Sequence, residues 1–119
     1  MNKEFLQQRI NELHYWDAAV LNLECNYFAD EVILEYDDDK DKVVYRFIGC
    51  YKVNFNHALG YVKEKPTQEL TFAQIPYFLQ SVIVDEIEDE QKLLTCKLLL
   101  PPLELEIWCR DIQISQQPK

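Results

Sequence analysis

The sequence predicts a mainly β domain, an antiparallel β-sandwich or open barrel of about seven strands with one N-terminal helix. Three observations lead there. Apolar and polar residues alternate with period two over most of the chain, while a helical period holds only over residues 2–13. The alternating runs are separated at hairpin spacing. Hydrophobic residues make up 48% and aromatics 13%, too apolar a chain for disorder. A length of 119 residues fits one domain, 1–119, that folds without metal or disulfide.

Within residues 2–13, Phe5, Leu6, Ile10 and Leu13 recur on one helix face, with Glu4, Gln7, Gln8, Arg9 and Glu12 opposite. Asn2 is the expected N-cap. Residues 15–115 read as antiparallel β. In 19–28, Leu21, Leu23, Cys25 and Tyr27 point one way and Asn22, Glu24 and Asn26 the other. Ala29-Asp30 is a tight connection to Val32, Leu34 and Tyr36. Residues 37–42 read as a solvated turn. Val43, Tyr45, Phe47, Tyr51, Val53 and Phe55 then share one parity, with a bulge or bend expected at Gly49. Residues 57–78 are irregular and broken by Pro66 and Pro76. Strands at 80–87, 92–99 and 103–115 close the chain, with Pro101-Pro102 turning between the last two. Leu103, Leu105, Ile107 and Cys109 share a parity that Ile112 and Ile114 do not, which predicts a bulge near Arg110-Asp111. Residues 116–119 read as a loose tail.

Charge limits the function. Twenty-one Asp and Glu against twelve Lys and Arg give a net of -9. The acids concentrate in residues 30–41 and 85–90. Such a surface repels phosphate backbones and attracts basic proteins. A basic middle, Lys42, Arg46, Lys52, Lys63 and Lys65, suggests pairing across strands, or self-association, rather than nucleic-acid contact. With only Gly49 and Gly60, a glycine-rich phosphate loop is impossible. No segment reads as a signal peptide or membrane span, so the expected location is cytoplasmic. Cys25, Cys50, Cys96 and Cys109 have no zinc spacing and read as buried free thiols.

No catalytic or cofactor motif is visible. Asp37-Asp38-Asp39-Lys40-Asp41 mimics a calcium loop but lacks its glycine, and Ile48 stands where the bidentate Glu belongs. His14 and Asp17 have no nucleophile motif nearby and read as groups bonding backbone at the helix–strand junction. Two histidines, His14 and His57, do not furnish a closed zinc site. Trp16, Trp108 and Arg110 fall on the polar parity, a residue set that favours interface centres.

The segment His14-Tyr15-Trp16-Asp17-Ala18-Ala19-Val20-Leu21 resembles the openings of small bacterial immunity proteins. In the immunity protein 50 group, His-Asp-Ala-x-Val-Leu leads into the first strand; here Tyr15 and Trp16 separate the His from the Asp. The resemblance implies a cytoplasmic protein that binds and silences a toxin, with no catalytic residues. The charge runs independently suit a basic partner. Asp37, Asp38, Asp39, Asp41, Glu86, Glu88, Asp89 and Glu90 are then the expected steering residues. Tyr36 or Trp108 is the expected anchor. The alternative is a structural or regulatory subunit, for instance a homodimer without catalytic activity; a small-molecule carrier with an aromatic-lined cavity is the third reading.

Overall fold

The structure, a computed structural model, describes residues 3–57, 77–87 and 93–119. Helix α1 spans Lys3–Glu12. The strands are β1 (Val20–Asn26), β2 (Glu31–Asp38), β3 (Asp41–Ile48), β4 (Lys52–His57), β5 (Ser81–Glu86), β6 (Leu94–Leu100), β7 (Leu103–Cys109) and β8 (Asp111–Pro118). They form two antiparallel four-stranded sheets, ordered β1-β2-β3-β8 and β4-β7-β6-β5. The predicted sandwich is present, with eight strands among the described residues.

The extra strand has a local cause. Each of the two long runs predicted to carry a bulge instead crosses from one sheet to the other. β3 and β8 pair as far as Ile48↔Asp111, and β4 and β7 resume at Lys52↔Trp108. The Arg110 N–H donates to the carbonyls of Ile48 and Gly49 at 3.0 and 3.2 Å, and the Tyr51 N–H to Trp108 at 2.7 Å. Backbone bonding therefore continues round the corner. Gly49 has φ +64°, and a Cβ there would meet the Arg110 Cδ at 3.1 Å. Both facts call for glycine.

The inner faces follow the alternation. Val32, Leu34 and Tyr36 of β2, with Val43, Tyr45 and Phe47 of β3, are wholly inaccessible. They oppose Cys96, Leu98 and Leu100 of β6 and Leu105, Ile107 and Cys109 of β7. Each large apolar side chain buried this way contributes about 1.5–3 kcal/mol. Tyr36 and Tyr45 pack edge-on at 5.5 Å, and Tyr45 and Phe47 at 6.4 Å. These rings fill the interior instead of lining the ligand cavity of the carrier reading.

Leu6 and Ile10 press α1 onto this core. Its Gln7 amide donates to the Val82 carbonyl at 2.9 Å and accepts from the Val84 N–H at 2.8 Å. One side chain thus makes the two bonds that a neighbouring strand would make, and so blunts the β5 edge. The Tyr36 hydroxyl donates to the Leu13 carbonyl at 3.0 Å, which ties the end of α1 to β2. Burial pushes the pKa of that phenol up to about 12.

Several expectations need correction. The solvated turn shrinks to residues 39–40, because Asp37 and Asp38 still pair with Lys42 and Asp41. Residues 116–118 are not a tail; they finish β8 against Val43, Lys42 and Asp41. β1 slips register between Val20 and Asn22, so Val20 joins the inner row and Leu21 is exposed. Of the thiols, Cys96 and Cys109 are buried, Cys50 is half-buried and Cys25 is exposed, since β1 is an outer strand. Tyr51 and Phe55 are exposed although they continue the inward parity of β3. Asn2, Lys63, Lys65, Pro66 and Pro76 lie outside the described residues.

Candidate protein interface

The first acidic run follows the pleat of β2. Its outward acids meet cations on the next strand. Arg46 Nε lies 2.5 Å from Glu31, and Lys42 Nζ lies 2.9 Å from Glu35. Asp37 is ion-paired with Lys119. The Asn26 amide and then Arg46 hold the Glu31 carboxyl below the usual range. The pairing expected of the basic middle is therefore present for Lys42 and Arg46, and it neutralises part of the rim.

The tip of the β2–β3 hairpin is different. Asp38 accepts a bond from Gln116 at 3.2 Å, and Asp39 carries the turn at φ 62°. Among the described residues no ion pair engages Asp38, Asp39 or Asp41. Half-buried Asp38 and exposed Asp39, Lys40 and Asp41 thus share one tip. Asp is among the few residues that tolerate this backbone region.

In the second run, Asp85 pairs with Lys3 Nζ at 3.0 Å. Glu86 accepts the first N–H of α1, from Lys3, at 3.0 Å. A carboxylate there also suits the helix dipole. The Glu86 N–H and then Lys3 lower the Asp85 pKa. Glu88, Asp89 and Glu90 lie outside the described residues.

Trp108 sits on the outer face of the second sheet, in the row Lys52, Trp108, Thr95, Asp85. Its indole N–H donates to Glu106 at 2.8 Å. Lys52 Nζ stands 4.7 Å from the ring centroid and 3.9 Å from Glu106. The half-buried ring is thereby held in one orientation. Further along this face, Asn54, Asn56, Lys97, Glu104 and Glu106 border an open concavity of about 480 Å³. Tyr36 is the other expected anchor and is a correction: it is 0% exposed, and its inward place beside Tyr45 keeps it from any partner.

Sequence reasoning missed the clamp at the corner. The Arg110 guanidinium donates to the Tyr51 hydroxyl at 2.6 Å and lies 5.4 Å from that ring. Parity alone put Tyr51 inside; only the sheet switch after Gly49 turns it out. No hydrogen bond joins His14 to Asp17 among the described residues. Asp17 instead accepts from Gln80 at 3.0 Å. No group of three or more His, Cys, Asp or Glu among the described residues could hold a metal ion. No helix there is long and apolar enough to cross a membrane.

The family model for immunity protein PIM7 matches residues 2–116. The chain belongs to the immunity protein PIM7 family. That is the immunity class to which the residues around His14 pointed, although the group they resembled was immunity protein 50. Membership implies a protein partner, a toxin, for this PIM7 protein. Comparison with curated proteins gives no match.

Proposed function

We propose that this chain is a cytoplasmic immunity protein that binds a basic toxin domain and occludes its working surface. Membership of the PIM7 family is the observation that carries the reading. The net charge of -9 supports a basic partner, because an acidic surface accelerates encounter with a cationic one. Steering falls to Asp38, Asp39 and Asp41 at the hairpin tip, which no ion pair engages among the described residues; the acids of the second run, Glu88, Asp89 and Glu90, add to the sequence's negative charge. Asp37 and Glu86 add to the field but are engaged by Lys119 and by the start of α1. Contact centres on Trp108, whose ring is held by Glu106 and Lys52 and loses little freedom on binding.

The test is stopped-flow association of the full chain with the toxin domain encoded beside it. Replacing Asp38, Asp39 and Asp41 together by Asn is expected to slow association at low salt about tenfold, with little change at high salt. An association rate indifferent to salt and to these replacements would remove the steering role. Failure of the unaltered chain to bind or protect against that domain would remove the immunity reading itself.

A further inference from the structure

The loop between β1 and β2 is built against its own backbone preferences. Asn26↔Glu31 is the last strand pair, and residues 27–30 close the hairpin with the Asp30 N–H donating to the Tyr27 carbonyl at 3.1 Å. Tyr27, Phe28 and Ala29 have φ of 53°, 58° and 69°. Positive φ at both central residues of the turn, Phe28 and Ala29, is the pattern that selects Asn-Gly in hairpins. Left-handed backbone disfavours any residue with a Cβ, and bulky side chains most. Here the chain places two aromatics and an alanine.

Packing within the chain does not offset that strain. Phe28 is 108% exposed and Tyr27 74%. A large ring held in solvent at a strained tip is what a partner contact would explain. The neighbourhood agrees. The Cys50 N–H donates to the Asp30 carbonyl at 2.9 Å, which seats the loop on the corner that carries Tyr51 and Arg110. Tyr51 is also bonded to the Trp108 carbonyl, so Trp108, Tyr51, Arg110 and the tip follow one another around the molecule. Tyr, Trp and Arg are the residues that carry binding energy at interface centres.

We infer that the 27–30 loop is a preformed wedge: Phe28, flanked by Tyr27, inserts into an apolar pocket of the toxin whose rim is basic. The rim follows from charge: Asp30 and Asp111 border the corner on a chain of net charge -9, while the cations near it are engaged within the chain, Arg110 by the Tyr51 hydroxyl and ring and Lys52 by Glu106 and the Trp108 ring. The same acids, on a chain of net charge -9, disfavour insertion into anionic lipid. This inference rests on the immunity reading and adds to it the anchor and the pocket chemistry.

The experiment makes the tip comfortable. In the full chain, Phe28→Asn with Ala29→Gly supplies the residues the turn prefers. The free protein is expected to melt about 3–6 °C higher, while affinity for the purified toxin domain encoded beside it falls at least about 30-fold. Phe28→Trp keeps a large ring and is expected to hold affinity within about threefold. A lower melting temperature for the double variant would show that the loop is not strained and would overturn the inference. So would unchanged affinity in the double variant while the unaltered chain binds. Phe28-dependent binding to phosphatidylcholine or phosphatidylglycerol vesicles, or Phe28-dependent self-association, would overturn it in favour of a lipid or a second copy. An unaltered chain that neither binds nor protects against the toxin domain would fell the immunity reading, and the wedge with it.

Discussion

At one end of β2 the chain reverses through Asp39 and Lys40; at the other it reverses through Tyr27, Phe28, Ala29 and Asp30. Both turns use left-handed backbone. The first places it on an aspartate, which tolerates it, and surrounds it with carboxylates that favour water. The second places it on two aromatics and an alanine, with the rings in solvent. Closing the same strand can therefore be done in harmony with local preference or against it. Folding accounts for the residues of the first turn. For the second it does not, and a function outside the isolated chain becomes the physical explanation.

The largest expected effect lies between the turns. Leu34 is 0% exposed at the centre of β2, and Leu34→Ala is expected to cost about 2–5 kcal/mol in urea or thermal denaturation. A cost near zero would mean that the turns, not the inner face, hold the strand in place. A smaller effect separates the turns themselves. Ala29→Gly is expected to stabilise by about 0.5–1 kcal/mol, because glycine relieves the left-handed strain. Asp39→Gly is expected to change stability by less than about 0.5 kcal/mol, since aspartate already accommodates the turn. Equal effects at the two positions would erase the contrast.

The smallest effect concerns charge at the root of the strained turn. Glu31, next to Asp30, is held ionised by Asn26 and Arg46, so its folded pKa lies below its unfolded value. Its contribution is therefore fully present above the ordinary glutamate range and is lost as pH falls through the lowered folded value. Glu31→Gln is expected to lower stability slightly at pH 7 and to flatten the acid limb of the stability curve below pH 4.5. An acid limb of unchanged slope would show that the Arg46 pair does not couple to folding.

Much of the fold could be read from period alone. Alternation puts Val32 and Leu34, and Val43, Tyr45 and Phe47, on common faces, and all five are buried. That works because both strands lie in one sheet with one face covered. Alternation failed where the chain changed sheets. Tyr51 and Phe55 continued the parity of β3, but the corner at Gly49 re-aims everything after it. It failed again in β1, where one register slip exchanged Leu21 for Val20. The site was less legible still. Tyr36 and Trp108 both looked like surface anchors, and only the second faces outward. Nor does any sequence period reveal that Lys119 returns to Asp37, or that Glu86 receives the start of α1.

What the residues determined by themselves was a two-faced, antiparallel, strongly acidic β domain, because pleat and net charge are additive properties of neighbouring positions. What the tertiary structure decided was which carboxylates remain unpaired and which aromatics remain in water. Those outcomes depend on partners dozens of residues away. The corner of Gly49 and Arg110 brings Tyr51, Trp108 and the 27–30 loop together, and the far end of the same strands brings Lys119 to Asp37; no local pattern encodes either meeting.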